Sequence, residues 1–234
     1  MLPKNYITAL LILLQQTNLQ PSVKIMPFFN SRLTKIWNLL LCCFAALRYN
    51  NVFNKYKNNN FTNANFLTNL FKDNEIKSVL DIGCGIAGYH SRWMLVEKGD
   101  LYLFDNSTFN ISSLRYGMGN SERYYNSLSM AKRFLGNEGI DHSRIHLIEI
   151  SKEQFNNRKY DLIISFISLG FHYHVSTYWM EIMNSINTNG IIVLDIRNSS
   201  SSYEFIEDSK LADTIYIMNK ISHGKFTRFT LKKL

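Results

Sequence analysis

Between residues 78 and 196 short apolar runs alternate with segments of helical periodicity, and this alternation constrains the fold more than any other feature of the chain. Residues 78–82, 101–104, 145–150, 160–166 and 190–196 are short, apolar and mostly rich in branched side chains, as buried strands are. Between them, the segments near 89–97, 122–135 and 176–186 carry helical spacing. Strands that alternate with helices predict a parallel sheet covered on both faces. The pattern then changes: residues 214–221 and 225–231 are two β-rich runs around His223-Gly224 and predict a hairpin.

The first 75 residues read differently, as a helical extension ahead of a second part spanning 76–234. Ile7, Leu10, Leu11 and Leu14 fall at helical spacing, as do Leu33, Ile36, Trp37, Leu40, Phe44 and Leu47. Trp37 and Phe44 are assigned to core on that spacing, and Pro21 and Pro27 separate the two helices. The Asn-rich stretch 50–63 predicts a loop, since Asn favours turns over helix interiors. A short helix over 64–71 follows, with Phe66, Leu67, Leu70 and Phe71 on one face.

Composition narrows the class. A chain of 234 residues with 46% hydrophobic and 19% charged content has the make-up of a soluble globular protein. No apolar run reaches the roughly 20 residues of a transmembrane helix. The apolar run 7–14 is followed by Gln15, Gln16, Thr17 and Asn18, without the small-residue site of a cleaved signal peptide. Cys42, Cys43 and Cys84 offer no CxxC spacing for zinc, and a reduced, cytoplasmic setting fits them. The formal charge of +8 suits an acidic partner, but the basic residues are scattered, which does not favour nucleic acid.

Val79-Leu80-Asp81-Ile82-Gly83-Cys84-Gly85 leaves the first strand and enters a glycine turn, and Gly88 completes G-x-G-x-x-G. Glycine admits a ligand against the backbone where a Cβ would block it. The spacing also suits a dinucleotide. Asp81 separates the two, because a pyrophosphate beside it costs about 4 kcal/mol at roughly 4 Å and an effective dielectric of about 20. S-adenosylmethionine (SAM) carries an ammonium and a sulfonium instead, which a carboxylate favours. Asp105, ending the second strand, can accept hydrogen bonds from both hydroxyls of a ribose. The plainer alternatives are a turn cap for Asp81 and a helix N-cap for Asp105.

The loop, Asp105, Tyr160-Asp161-Leu162-Ile163-Ile164-Ser165 and Asn189-Gly190-Ile191-Ile192-Val193-Leu194 resemble the successive motifs of class I SAM-dependent methyltransferases, over residues 77 to 197. The resemblance implies a Rossmann-like α/β fold with a seven-stranded sheet, helices on both faces and the last strand antiparallel. It implies Gly83, Cys84 and Gly85 against the methionine part of SAM, Asp105 on the ribose, and Ser165 as a further cofactor contact. Glu149 falls by the adenine, where this sequence lacks the family's usual Gly-Asp.

In that family the segment after the fourth strand faces the transferred methyl group. Here it is Ser168-Leu169-Gly170-Phe171-His172-Tyr173-His174-Val175-Ser176-Thr177-Tyr178-Trp179. His172 is the candidate base, since histidine titrates near neutrality; His174 is the reserve, and Tyr173 orients the acceptor. The alternative is that the histidines pack or cap the following helix. No ligand cluster for a metal stands out. Arg115-Tyr116-Gly117-Met118, Tyr124-Tyr125-Asn126-Ser127-Leu128 and Gly170-Phe171-His172-Tyr173 resemble a bacterial branch acting on sugar or glycan oxygens. The expected activity is O-methylation of a small molecule or glycan. RNA or protein methylation, or SAM binding without transfer, are the other readings.

Overall fold

The computed structural model of the protein describes residues 6–15, 31–72, 75–96, 98–107, 126–150, 152–166, 168–208 and 214–234, with backbone alone for 31–38 and 95–96. Seven strands form one sheet: β1 (Ser78–Ile82), β2 (Asp100–Asp105), β3 (Ile145–Glu149), β4 (Tyr160–Ser165), β5 (Ile186–Arg197), β6 (Ile215–Ser222) and β7 (Phe226–Lys233). Their order is β3-β2-β1-β4-β5-β7-β6. The first five run parallel, and β7 is antiparallel to both β5 and β6. The expected sheet and its C-terminal hairpin are therefore present, with β5 extended at its start.

The helices are α1 (Tyr6–Gln15), α2 (Ser31–Asn59), α3 (Phe61–Phe71), α4 (His90–Val96), α5 (Leu128–Asn137), α6 (Trp179–Ser185) and α7 (Ser201–Glu207). Alternation along the strands sends side chains to opposite faces and builds two cores. Val79 of β1 with Leu101 and Leu103 of β2 meets Leu10–Leu13 of α1, Tyr56 of α2, Trp93 of α4 and Phe134 of α5. Leu80 and Ile82, with Tyr102 and Phe104, face Trp179 and Ile182 of α6 and Ile206 of α7.

Three expectations need correction. The Asn-rich stretch 50–63 is helical, closing α2 and opening α3. Val52 and Tyr56 are buried there, and the rings of Phe53 and Tyr56 each lie 5.9 Å from Phe134. Burial of an apolar side chain gains about 1.5–3 kcal/mol, more than the helix penalty of an Asn, at most about 0.7 kcal/mol. Packing decides the backbone.

Secondly, the face of α2 that meets the core carries Leu41, Ala45, Val52 and Tyr56, with Phe44 packed at its edge, whereas Leu40 and Leu47 are exposed. The side chains of Leu33, Ile36 and Trp37 lie outside those described, as do Pro21 and Pro27. Thirdly, the expected helix over 176–186 is a 3₁₀ turn at Val175–Thr177 followed by the short α6, and Ile186 already belongs to β5. Helix α7 arises where only a serine-rich bias is visible, and Ser200 caps it by accepting the Ser202 N–H. No helix among the described residues is long and apolar enough to cross a membrane.

Candidate functional site

The sheet order reverses between β1 and β4, and the crevice beyond the carboxyl ends of such strands is where open α/β sheets bind ligands. A cavity of about 440 Å³ lies there, bounded by the loop after β1, the end of β2 and the segment after β4. That volume is within the range of small-molecule sites.

The loop takes its shape from left-handed backbone at Gly83 (φ +71°), Gly85 (φ +57°) and Ala87 (φ +56°). At Gly83 a second demand is stronger still: a Cβ there would stand 1.9 Å from Ser168 Oγ. Gly83 N–H donates to the Phe104 carbonyl at 2.7 Å, which fastens the loop to β2. Gly88 N–H donates to Tyr56 Oη at 3.0 Å, and Ile86 N–H to Gln15 Oε1 at 3.3 Å. Both partners come from the N-terminal helices, and both line the cavity.

Asp81 shares the parity of Val79 and so points to the buried face under α4. There His90 Nε2 lies 2.9 Å from Asp81 Oδ2, and Trp93 Nε1–H donates to His90 Nδ1 at 2.9 Å. Among the described residues, Asp81 Oδ1 and the Tyr89 hydroxyl meet no hydrogen-bond partner but each other. Burial pushes the Tyr89 phenol well up, and the adjacent Asp81 carboxylate adds to the effect.

Asp105 lines the cavity and accepts from Gly85 N–H at 2.9 Å and from Asn106 N–H at 2.7 Å. Burial pushes its carboxyl up to about 6; those two N–H groups oppose the rise and the charge of Asp81 adds to it. Cys84 also lines the cavity, with a thiol that burial first, and then Asp105 and Asp81, hold well above its ordinary range. It stays neutral. Asn126 lines the wall beside them, its buried amide turned to Asp105 and Cys84.

Three expected cofactor contacts sit apart from the cavity lining, Asp81 among them, buried behind the glycine loop. Ser165 is fully buried, donating to the Ile82 carbonyl at 2.8 Å and accepting from Leu169 N–H at 3.1 Å, so it ties β4 to β1 beneath the loop. Glu149 pairs in register with Asp105 but forms an ion pair with Lys152 at 2.7 Å, and Ile150 lines the cavity next to it.

The opposite wall is the segment after β4. The Ser168 carbonyl accepts from the N–H groups of Phe171, His172 and Tyr173 at 3.2, 2.9 and 3.4 Å, winding the segment into a tight turn. His172 and Tyr173 both line the cavity. His174 instead caps the following 3₁₀ turn, its Nδ1 accepting from Ser176 N–H at 3.2 Å. Tyr178 completes this wall, edge-on to Phe104 at 5.7 Å.

Gln15, Tyr56, Asn60, Asn63, Tyr89 and Asn126 line the cavity without having been singled out as site residues from the sequence. Asn60, at the junction of α2 and α3, and Asn63 of α3 lay in the supposed loop; their helical spacing from Tyr56 was the available signal. Beside Asn63, Arg228 of β7 is buried in a bidentate pair with Asp195 of β5, at 2.6 and 2.7 Å, and donates to Asn63 Oδ1 at 2.9 Å. The segments 115–118 and 124–125 lie outside the described residues. Among those described, no group of three or more His, Cys, Asp or Glu is placed to hold a metal ion.

The sheet order, the reversed seventh strand and the site beyond β1 and β4 define the class I methyltransferase fold. No protein-family model matches the sequence, and no curated protein matches it. Solved structures do. A ribosomal protein L11 methylase from Lactobacillus delbrueckii subsp. bulgaricus is similar over 73% of this chain and 76% of its own, at 17% identity and a TM-score of 0.54. The N-methyltransferase NodS from Bradyrhizobium japonicum WM9, in complex with S-adenosylhomocysteine, is similar over 75% and 86%, at 11% identity and a TM-score of 0.51. A methyltransferase from Pyrococcus furiosus is similar over 74% and 81%, at 10% identity and a TM-score of 0.51.

Proposed function

We propose that the protein is a SAM-dependent methyltransferase whose acceptor is an oxygen of a small molecule or glycan. The observation that carries this reading is that one cavity is lined on one side by Gly83, Gly85 and Asp105 and on the other by His172 and Tyr173. Donor and acceptor walls face each other across it. The residues fit SAM on chemical grounds. Among the described residues Asp81 Oδ1, Tyr89 Oη and Asn126 Nδ2 are buried polar atoms with hydrogen-bonding capacity left over, two acceptors suited to an ammonium and one donor suited to a carboxylate or ribose oxygen. Two carboxylates near the loop, Asp81 and Asp105, also oppose the pyrophosphate of a dinucleotide. Asp81, Gly83, Cys84 and Gly85 would hold the methionine part, and Asp105 the ribose. Glu149 and Ser165 belong to the surrounding support on this reading.

When bound, SAM supplies a methyl group on a sulfonium, a good leaving group. What remains for the chain is to align the acceptor oxygen and take its proton. His172, exposed at the rim, is the base, and Tyr173 orients the acceptor hydroxyl. The glycan preference rests on the resemblance of the 170–173 segment. The charge of +8 supports the second reading, an RNA acceptor, which strongly salt-dependent RNA binding would establish instead.

Calorimetry with SAM, S-adenosylhomocysteine and NAD tests the donor: we expect binding of the first two, and preference for NAD overturns the reading. With an acceptor identified by mass analysis of methylated products, His172→Ala should lose turnover by a factor on the order of 10²–10⁴ while binding SAM nearly as wild type does. Full turnover in that variant removes the base role.

A further inference from the structure

The buried chain Trp93–His90–Asp81 lies behind the cavity, and neither Trp93 nor His90 has a part in the chemistry described so far. Its protonation can be deduced. An indole nitrogen only donates, so His90 Nδ1, which receives the Trp93 N–H at 2.9 Å, is the unprotonated nitrogen of the ring. The proton is then on Nε2, which donates to Asp81 Oδ2 at 2.9 Å. The ring is therefore neutral and acts on Asp81 by hydrogen bonding alone. His90 and Asp81 are 0% and 1% exposed, so no solvent shares that carboxylate.

With Oδ2 fixed by His90, Asp81 Oδ1 is turned to the side where Tyr89 stands, and Tyr89 in turn lines the cavity. The Tyr89 O–H stands beside Asp81 as its donor, and the lone pairs that both oxygens keep suit a further donor such as a primary ammonium group. We infer that Trp93 and His90 are positioning residues for the donor: they hold Asp81 oriented so that Asp81 Oδ1 and Tyr89 Oη together receive the ammonium of its methionine part. This rests on the proposed SAM site. Adenosine recognition, through Asp105 on the far side of the glycine loop, does not pass through the chain.

The test compares two ligands that differ in the amino-acid part. S-adenosylhomocysteine carries it and 5′-methylthioadenosine lacks it. For the full-length protein, His90→Leu and Trp93→Phe should each weaken S-adenosylhomocysteine by about tenfold or more, the scale of one charge-assisted hydrogen bond. Both should leave 5′-methylthioadenosine within about twofold. His90→Gln, which keeps an N–H donor near the position of Nε2, should restore most of the loss. Equal losses for both ligands, or none for S-adenosylhomocysteine, overturn the inference. If His90→Leu does not fold, His90→Gln and Trp93→Phe still decide it by the same ratio. A wild-type protein that binds neither ligand overturns the SAM site itself, a result distinct from the others.

Discussion

Asp105 is the residue whose surroundings conflict most with its charge. Burial raises its carboxyl to about 6 from an ordinary 3.8, although two backbone N–H groups support the ionised form. A raised acid binds its proton more tightly in the folded protein, so this group's contribution favours folding below about pH 4 and is lost as pH rises toward 6. On the proposed site, ribose hydroxyls need the ionised acceptor, which gives the opposite trend for binding. S-adenosylhomocysteine affinity should fall as pH drops below about 6, by at most tenfold per unit. Asp105→Asn should bind weakly and show no such slope; titration calorimetry between pH 5 and 8 reads both. Asp105, which lines the cavity, stands out in the sequence because it ends a strand beside the glycine turn, whereas Asp81, picked out by the same turn, lies behind the lining. Gln15 and Tyr56 do not stand out, since their contacts with the loop span 71 and 32 positions and follow no local pattern.

At the level of elements, the strands were legible and the first helices only partly so. A buried parallel strand must be apolar, and the five parallel runs stand out by that necessity. The helix over 50–59 hides because its Asn residues face solvent, while Val52, Phe53 and Tyr56 pack it on the core. Arg228 was equally hidden, because β7 is antiparallel and its partner Asp195 lies 33 residues earlier. Register makes the two direct neighbours across β5 and β7. Arg228 also stacks on Phe166 at 4.1 Å and Phe66 at 4.9 Å, which joins the sheet to α3. Burial still leaves the Asp195 carboxyl raised despite the guanidinium. Arg228→Met should therefore destabilise the protein by about 3–5 kcal/mol, because it leaves a buried carboxylate unpaired. Asp195→Val combined with Arg228→Met should recover most of that loss. Denaturant midpoints of the three proteins check the pair.

For the whole molecule, the change of sequence pattern near residue 75 is not a gap in packing. One core joins Leu10–Leu13, Leu41, Val52, Tyr56, Leu67 and Phe71 to Val79, Trp93, Leu101 and Leu162. Helix α1 is buried over six successive residues, Thr8 to Leu13, as an internal helix is and a surface extension is not. Polar links cross the same boundary, with Lys57 on Glu138 at 2.6 Å and Gln15 on Asn126 at 3.3 Å. A chain beginning at residue 75 should expose Trp93 and the inner face of β1 and β2, bind a hydrophobic dye and lose its cooperative thermal transition. Sharp melting of that fragment with no dye binding would establish the helices as separable.

The near-contact of Gly83 and Ser168 bears on redesign. Ser168 fills the space that any side chain at position 83 would need, and its carbonyl winds the turn that presents His172 and Tyr173. Enlarging residue 168 to reshape the acceptor wall presses directly on the backbone of the donor loop. On the proposed site, altered acceptor choice with less loss of donor affinity is expected from Asn63, which lines the cavity from α3.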